Sequence, residues 1–159
     1  MISGVDTTFL VQLELSEAPE HSAAQRFLHS QILEKKIQVA LAPQVLIEFI
    51  HVVTDPKRFE RPLSMLEALK KANLWWMSAE VRQVTLPGDG FLMVLNWLTS
   101  FGLGRKRLLD TQLAVTYHLA GVSSIITSNT SDFEIFEVFE LIDPVDYSSK
   151  RSGKKKKGR

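Results

Sequence analysis

The sequence predicts an α/β fold in which a mainly parallel sheet is wrapped by helices. Two observations indicate this class. Short apolar segments with strand character alternate along the chain with longer segments whose apolar residues recur at helical spacing. The chain has 159 residues, 45% of them hydrophobic and 23% charged, which suffices for one globular domain with a buried core. Alternation of this kind favours parallel strands joined by helical crossovers.

The first half of the chain begins with a strand and continues through helices. MISGVD predicts a short buried strand that ends at Asp6, after which Thr7 or Thr8 can cap a helix through FLVQLEL. Residues 20–36 place apolar side chains at helical spacing and precede the strand-like segment IQVALA. Pro43 suits a first helical turn, so PQVLIEFIHVV is predicted to be helical despite its β-branched residues.

The second half continues the alternation. SMLEALKKANLWW is predicted as a helix, VRQVTL as a possible strand, and DGFLMVLNWLTSFG as a helix that stops at Gly102. DTQLAVTYHLAG has Asp110 at its start and Gly121 at its end, as expected for a helix. VSSIITS predicts the next strand and VFELIDP the last.

Composition excludes several classes of protein and of site. The chain contains no cysteine, so disulfides, thiolate zinc sites and cysteine nucleophiles are excluded, and a reducing cytosol fits this composition. The N-terminus lacks the basic region of a signal peptide. The longest apolar stretches are interrupted and fall short of the about 20 residues that span a membrane. We therefore expect a soluble, cytoplasmic protein with no membrane partner.

The basic residues are concentrated at the C-terminus. Seven of the 19 Lys and Arg residues lie in residues 150–159. Residues 1–149 hold the remaining 12 together with all 18 acidic residues, so the net charge of this part is near −6. We predict a domain over residues 1–147 and a disordered basic tail over residues 148–159, because this tail has nothing apolar to bury. The tail is either a non-specific phosphate-binding arm or a solubilising or non-native terminus.

Polar residues occupy unusual positions on this outline. Asp6 ends the first strand, and Glu48 lies inside the apolar run VLIEFI, where an unpaired charge is costly to bury. Asp110 begins a helix, and Asn129 and Asp132 follow a strand. Each residue alone has a structural explanation as a helix cap, a solvent-facing charge or an Asx-turn. Their joint placement at strand ends and helix starts favours a functional site instead.

Four segments of the chain follow the order of the motif regions of a known family and extend over residues 2 to about 143. These segments are GVDTTFL, PQVLIEFIHVVTDPKRF, RLLDTQLAVTYHLAG and IITSNTSDF. They carry a resemblance to PIN-domain ribonucleases, in particular the VapC-like toxins of toxin–antitoxin pairs. It implies an α/β/α sandwich, a Mg²⁺ or Mn²⁺ site made of carboxylates, and hydrolysis of RNA phosphodiester bonds.

The resemblance also implies roles for individual residues. Asp6, Glu48 and Asp110 match the acidic metal-site residues, and Thr7 and Thr127 match small hydroxyl neighbours. In the fourth region many members carry an acid where this chain has Asn129. We expect Asn129 to take part through water or through another ligand, and Asp132 to be a more weakly placed fourth acid.

The chemistry explains the residue types. Mg²⁺ prefers oxygen ligands and retains several waters, so two or three carboxylates suffice. A bound ion also offsets the repulsion between clustered acids and a phosphodiester. The basic segment GRKR, with Arg105, Lys106 and Arg107 just before Asp110, either attracts RNA or is a solvated loop.

Two functional hypotheses follow. The first is a Mg²⁺- or Mn²⁺-dependent endoribonuclease that acts on RNA, forms a homodimer and is held inactive by a cognate antitoxin. The second is a catalytically weak RNA-binding or protein-interaction module, whose metal site is impaired at Asn129. Three intact acids, Asp6, Glu48 and Asp110, favour the first hypothesis.

Overall fold

A five-stranded parallel sheet forms the centre of the molecule. The computed structural model describes residues 2–147. Every strand pairs in parallel with its neighbours, in the order β3-β2-β1-β4-β5. The strands are β1 (Ser3–Val5), β2 (Val39–Leu41), β3 (Val81–Gln83), β4 (Ser124–Ile126) and β5 (Glu140–Ile142). The predicted α/β class with a mainly parallel sheet is confirmed.

Helices connect these strands. Pro43 occupies the first turn of its helix, as predicted, and Ser64 and Glu67 form a reciprocal capping box at the start of another. Gly102 and Gly121 follow helices with φ of 61° and 75°, a backbone region that favours glycine. The helices are α1 (Thr7–Glu14), α2 (His21–Phe27), α3 (Pro43–Val53), α4 (Met65–Trp76), α5 (Gly90–Ser100) and α6 (Leu108–Leu119).

Two helix boundaries differ from the sequence prediction. The helix predicted over residues 20–36 is α-helical only to Phe27 and continues as a π-helix over Leu28–Leu33. The last long helix begins at Leu108, directly after the 3₁₀ turn Arg105–Arg107, and not at Asp110. Asp110 therefore lies in the first turn of α6, and its side chain is free for a role other than capping.

The order of the strands creates a switch point. The chain builds β1, β2 and β3 in one direction and then returns to place β4 on the other side of β1. Because parallel crossovers are right-handed, this reversal puts the helices before and after it on opposite faces of the sheet. The carboxyl ends of β1 and β4 therefore flank a crevice, the usual ligand-binding position in such sheets.

Close packing of α6 against β1 fixes this crevice. A Cβ atom on Gly4 would lie 2.6 Å from the ring of Tyr117, so only glycine permits the contact. The Tyr117 hydroxyl donates a hydrogen bond to the Val5 carbonyl. Tyr117 is fully buried, as are Phe9 on α1 and Phe49 on α3. The glycine thus determines how near α6, with Asp110, lies to the end of β1.

The basic tail predicted over residues 148–159 lies outside the described residues. Within residues 2–147, no helix has both the length and the apolar character required to cross a membrane.

Candidate metal centre

The predicted site residues line one pocket at the switch point. It has a volume of about 350 Å³ and lies at the carboxyl ends of β1 and β4. The loop between α1 and α2 and the segment after α3 form its outer walls. The pocket is lined by six residues predicted from the sequence, namely Asp6, Thr7, Glu48, Asp110, Asn129 and Asp132. Segments separated by more than 100 residues are therefore brought together here.

Asp6 is held at the floor of the pocket. Its residue is 8% exposed, and its backbone N–H extends the β1–β4 pairing by donating to the Ile126 carbonyl over 3.2 Å. The Thr127 hydroxyl donates to Asp6 Oδ2 over 2.8 Å, and the Thr8 hydroxyl donates to the same oxygen over 3.2 Å. Asp6 occupies the N-cap position of α1, yet its side chain makes no capping hydrogen bond.

Glu48 reaches the pocket from α3. The residue is exposed, although Val45 and Val52, one turn before and after it, are buried, so the carboxylate lies at the edge of the core-facing side of α3. The Thr7 hydroxyl donates to Glu48 Oε2 over 2.9 Å. This bond orients the carboxylate toward the end of β1. Thr7 and Thr127, expected to be hydroxyl neighbours of the acids, thus each donate a hydrogen bond to one of them, Thr7 to Glu48 and Thr127 to Asp6.

Asp110 is paired with an arginine. Its Oδ2 lies 3.4 Å from Arg107 Nε, one helical turn earlier on the chain. The guanidinium of Arg107 also donates to the backbone carbonyl of Asp132. Arg107 therefore ties the start of α6 to the loop after β4. Arg105 and Lys106 remain exposed, so the basic segment, for which RNA attraction and a solvated loop were the two alternatives, is divided between two environments.

The loop after β4 is a turn whose side chains also face the site. The Asp132 N–H donates to the Asn129 carbonyl over 3.1 Å, which closes a 3₁₀ turn over Thr130–Asp132. The Asn129 N–H donates to the Thr127 hydroxyl over 2.9 Å. The backbone alone makes this turn, so the amide of Asn129 and the carboxylate of Asp132 are not required for it. Both line the pocket.

The acids influence one another electrostatically. Burial raises the pKa of Asp6 above the ordinary carboxyl value, the Thr127 hydrogen bond opposes this, and the charge of Glu48 raises the pKa further. Burial also raises the pKa of Asp110 to about 6; the charge of Asp132 adds to the increase, and Arg107 opposes it. Asp6 and Glu48 make smaller contributions in the same direction. Burial is thus the main cause of both shifts, and the charges of neighbouring acids add to it.

This donor set fits a hard divalent cation. Carboxylate and amide oxygens are the ligands that Mg²⁺ and Mn²⁺ prefer. A cation would offset the cost of burying charged Asp6 and Asp110 and the repulsion between the acids, the two effects that raise their pKa values. Among residues 2–147, no three acidic or histidine side chains stand as a ready-made metal-binding group. Hydroxyl groups hold the carboxylates of Asp6 and Glu48 in place.

Three features of the pocket escaped the sequence analysis. The Thr8 hydroxyl bonds to Asp6, Arg107 connects two of the acids, and Arg58 and Phe59 line the pocket wall after α3. The motif TDPKRF contains Arg58 and Phe59, but spacing along the chain does not reveal which side chains face the crevice. The sequence offered one signal for these pocket residues, a basic and an aromatic residue that come directly after a helix of the motif.

The chain has a sequence relative with a known activity. It is 28% identical over 143 residues to ribonuclease VapC24 of Mycobacterium tuberculosis, a match that covers 89% of this chain and 95% of the relative. No family profile matches the chain.

Solved structures have the same fold. Mycobacterium tuberculosis VapC20, described as a sarcin-ricin loop cleaving toxin, superposes with a TM-score of 0.60 at 20% identity, over 80% of this chain and 92% of that one. A chain of a toxin–antitoxin complex from Klebsiella pneumoniae gives a TM-score of 0.59 at 15% identity, over 89% and 97% of the two chains. In sequence and in fold, the chain resembles the VapC-like PIN-domain ribonucleases, as its four motif segments predicted.

Proposed function

We propose that this chain is a metal-dependent endoribonuclease and the toxin of a toxin–antitoxin pair. The observation that carries the proposal is the convergence of Asp6, Glu48 and Asp110 on one pocket at the switch point of the sheet. The similarity to ribonuclease VapC24 over nearly the whole chain supports the choice of RNA as substrate.

The three acids would hold Mg²⁺ or Mn²⁺. A divalent cation at such a site lowers the pKa of bound water and offsets the charge that develops on phosphoryl oxygens. Hydrolysis adds one water across a P–O bond, so no further cosubstrate is required. The absence of cysteine from the chain is compatible with this chemistry, because no covalent nucleophile is needed.

Neighbouring residues hold the acids in place. Hydroxyl donors at Thr127 and Thr8 oppose the effect of burial on the pKa of Asp6, and the Thr7 hydroxyl orients Glu48. Arg107 opposes the effect of burial on the pKa of Asp110 and at the same time holds the Asp132 backbone. Metal binding requires the deprotonated carboxylates, and a bound cation would favour that state.

We assign different roles to the two polar residues of the loop after β4. Asn129 is exposed at the pocket rim and offers a neutral oxygen, which suits a contact through water. Asp132 contributes charge, because it is the first charged neighbour to raise the pKa of Asp110. Asp132 is thus the fourth acid of the proposed site, held by the backbone contact with Arg107.

Exposed apolar side chains support the proposal that the chain binds protein partners. Ile47 on α3 and Leu109 on α6 are 68% and 69% exposed, and both border a groove that also contains Glu48 and Asp110. Leu92 on α5 is 70% exposed. Apolar patches of this kind mark contact surfaces. We propose a homodimer and a cognate antitoxin that covers the site. We also propose a cytoplasmic location, where the chain would meet both its RNA substrate and its antitoxin.

The test is cleavage of a labelled single-stranded RNA in Mg²⁺ or Mn²⁺ and in chelator. We expect metal-dependent cleavage that Asp6→Ala, Glu48→Ala or Asp110→Ala each reduces by on the order of 100-fold or more. The control is Asp89→Ala, because Asp89 is exposed, makes no capping hydrogen bond and lies outside the pocket. This variant should retain full activity, while the three inactive variants, purified in the same way, control for contaminating nuclease.

Two results would contradict the proposal. Full activity of Asp6→Ala would remove the metal site as assigned. RNA binding without cleavage in any metal would instead support the catalytically weak module. In that hypothesis Asn129, at the pocket rim, takes the place of an acid and impairs the metal site.

A further inference from the structure

The segment between α3 and α4 is an ordered loop that forms one wall of the pocket. We call residues 54–63 the wall loop. Asp55 organises it: its carbonyl accepts the N–H groups of Arg58 and Phe59 over 3.2 and 3.3 Å, and its Oδ1 accepts that of Lys57 over 2.8 Å. The Leu63 N–H closes the loop on the Val53 carbonyl over 2.8 Å. An irregular loop with this many internal bonds can hold side chains in fixed positions.

A carboxylate fastens the wall loop to the connection between α1 and α2. Glu17, in that connection, accepts the N–H groups of Glu60 and Arg61, each over 3.1 Å. Ala18 and Pro19, in the same connection, also line the pocket. Hydrogen bonds to a charged acceptor are about twice as strong as neutral ones. Glu17 therefore joins two segments that both line the pocket.

The wall loop supplies a cation to an otherwise acidic pocket. Among the described residues that line it, Arg58 is the one basic side chain, whereas five are acidic. The Arg58 side chain is 56% exposed, and its Nε lies 3.4 Å from Asp55 Oδ2. An exposed pair of this kind contributes at most about 1 kcal/mol, so the guanidinium can exchange Asp55 for a phosphate. Its planar donors match phosphate oxygens in a bidentate contact.

An aromatic ring lies next to this cation. Phe59 is partly buried: it packs against the hydrophobic core and also lines the pocket. Single-stranded nucleic acid presents a phosphate and an unstacked base in each nucleotide, and proteins that bind it combine cations with aromatic platforms. An acidic peptide would use Arg58 but would have no need of the aromatic face. The pair therefore favours single-stranded RNA.

We propose that Arg58 and Phe59 position the substrate. Arg58 binds a phosphate next to the one that is cleaved, and Phe59 stacks on an adjacent base. This inference rests on the proposed nuclease function and deepens it, because it names the residues that hold the RNA beside the cleaved bond. Both are positioning residues and take no part in the cleavage step.

The test separates binding from cleavage and charge from stacking. RNA affinity is measured by fluorescence anisotropy in chelator, as a function of salt, with a labelled single-stranded oligonucleotide; KM and kcat are measured with Mn²⁺. Arg58→Ala should raise KM about 10-fold, leave kcat within about 3-fold, and reduce the salt slope of log affinity by about 0.7, the value for one phosphate contact on a single strand. Arg58→Lys should retain the slope and recover part of the affinity.

Phe59 is tested with substitutions that preserve packing. Phe59→Leu keeps an apolar side chain against the core and removes the aromatic face, so it should weaken binding by about 5-fold or more without a change in salt slope. Phe59→Tyr keeps the ring and should bind as the wild-type chain does.

Arg61→Ala is the matched control. Arg61 is in the same loop and has the same charge, but its side chain lines a neighbouring cavity, together with Glu17. Its hydrogen bond to Glu17 uses the backbone N–H, so truncation of the side chain leaves that bond in place. It should leave the affinity, the slope and KM unchanged. Thermal unfolding confirms that each variant is folded.

The outcomes distinguish this inference from the proposed function. If the wild-type chain cleaves RNA and Arg58→Ala leaves KM and salt slope unchanged, or if Arg61→Ala has the same effect as Arg58→Ala, the inference is overturned and the nuclease stands. If the chain binds RNA with an Arg58-dependent slope but never cleaves it, the nuclease assignment fails and the binding role is supported. If Arg58→Ala weakens only the binding of a protein partner, the assignment to RNA is wrong.

Discussion

Replacement of Thr127 by valine tests how the end of β4 supports Asp6. Thr127 is fully buried, and its hydroxyl makes two short bonds: it donates to Asp6 Oδ2 over 2.8 Å and accepts the Asn129 N–H over 2.9 Å. The Thr8 hydroxyl lies further away, at 3.4 Å. Thr127→Val preserves the shape of the side chain and removes both bonds. The protein is examined in chelator, so that no metal contributes to stability.

The expected loss follows from the two bonds. A hydrogen bond to a charged group contributes about 1.5–3 kcal/mol, and a neutral one about 0.5–1.5 kcal/mol. Burial of an additional methyl group offsets part of this loss. We expect the free energy of unfolding to fall by about 1–4 kcal/mol at about pH 8.

The sign of the pH dependence is fixed by Asp6. Burial raises its pKa in the folded protein, so the folded state binds the proton more tightly than the unfolded chain, and stability decreases as pH rises through this pKa. The Thr127 bond lowers that pKa, so Thr127→Val raises it further and adds to the decrease. The difference between variant and wild type should therefore be larger at about pH 8 than at about pH 4.5.

Urea unfolding followed by circular dichroism at the two pH values measures both quantities. The control is Thr111→Val: Thr111 is equally buried, but its hydroxyl donates over 2.7 Å to a backbone carbonyl, that of Arg107, and not to a carboxylate. Its loss should be about 0.5–1.5 kcal/mol. A Thr127→Val loss no greater than that of Thr111→Val, or one that is the same at both pH values, would refute the reasoning.

Two further predictions concern the other acids. The pKa of Asp110 is raised from 3.8 to about 6, so ionisation of Asp110 destabilises the metal-free protein as pH rises through this interval. Asp110→Asn should therefore gain stability over wild type above about pH 6, and urea unfolding at about pH 4 should show a smaller gain. Calorimetric titration of Mn²⁺ should show tighter binding for Asn129→Asp and weaker binding for Asp132→Ala. If neither affinity changes, the loop after β4 is only a turn and the site ends with three acids.

Local sequence features predicted the elements of the fold well. Pro43 at a first turn and Gly102 and Gly121 after helix ends act through their own backbone preferences, which depend little on the rest of the chain. The start of α6 was placed two residues late, at Asp110, because the actual start depends on the turn before it. Arg107 in that turn contacts the Asp132 backbone, 25 residues further along the chain, and no local pattern encodes such a contact.

The candidate site was only partly predictable. The sequence identified acids at the end of β1, on α3 and near the start of α6, and their chemical type indicated a divalent cation. It did not indicate that Thr8 would bond to Asp6, nor that Arg58 and Phe59 would face the pocket. These facts depend on the direction of each side chain, which packing determines.

By itself, the sequence determined which segments are strands and helices and which residues can bind a cation, because hydrophobic periodicity, capping and ligand chemistry belong to short stretches of chain. The tertiary structure alone decided that β1 lies between β2 and β4, which brings Thr127 into contact with Asp6 across 121 residues of chain. Strand order follows from burial of both sheet faces and from the handedness of the crossovers, and these are properties of the whole chain. The pocket exists only where that order reverses.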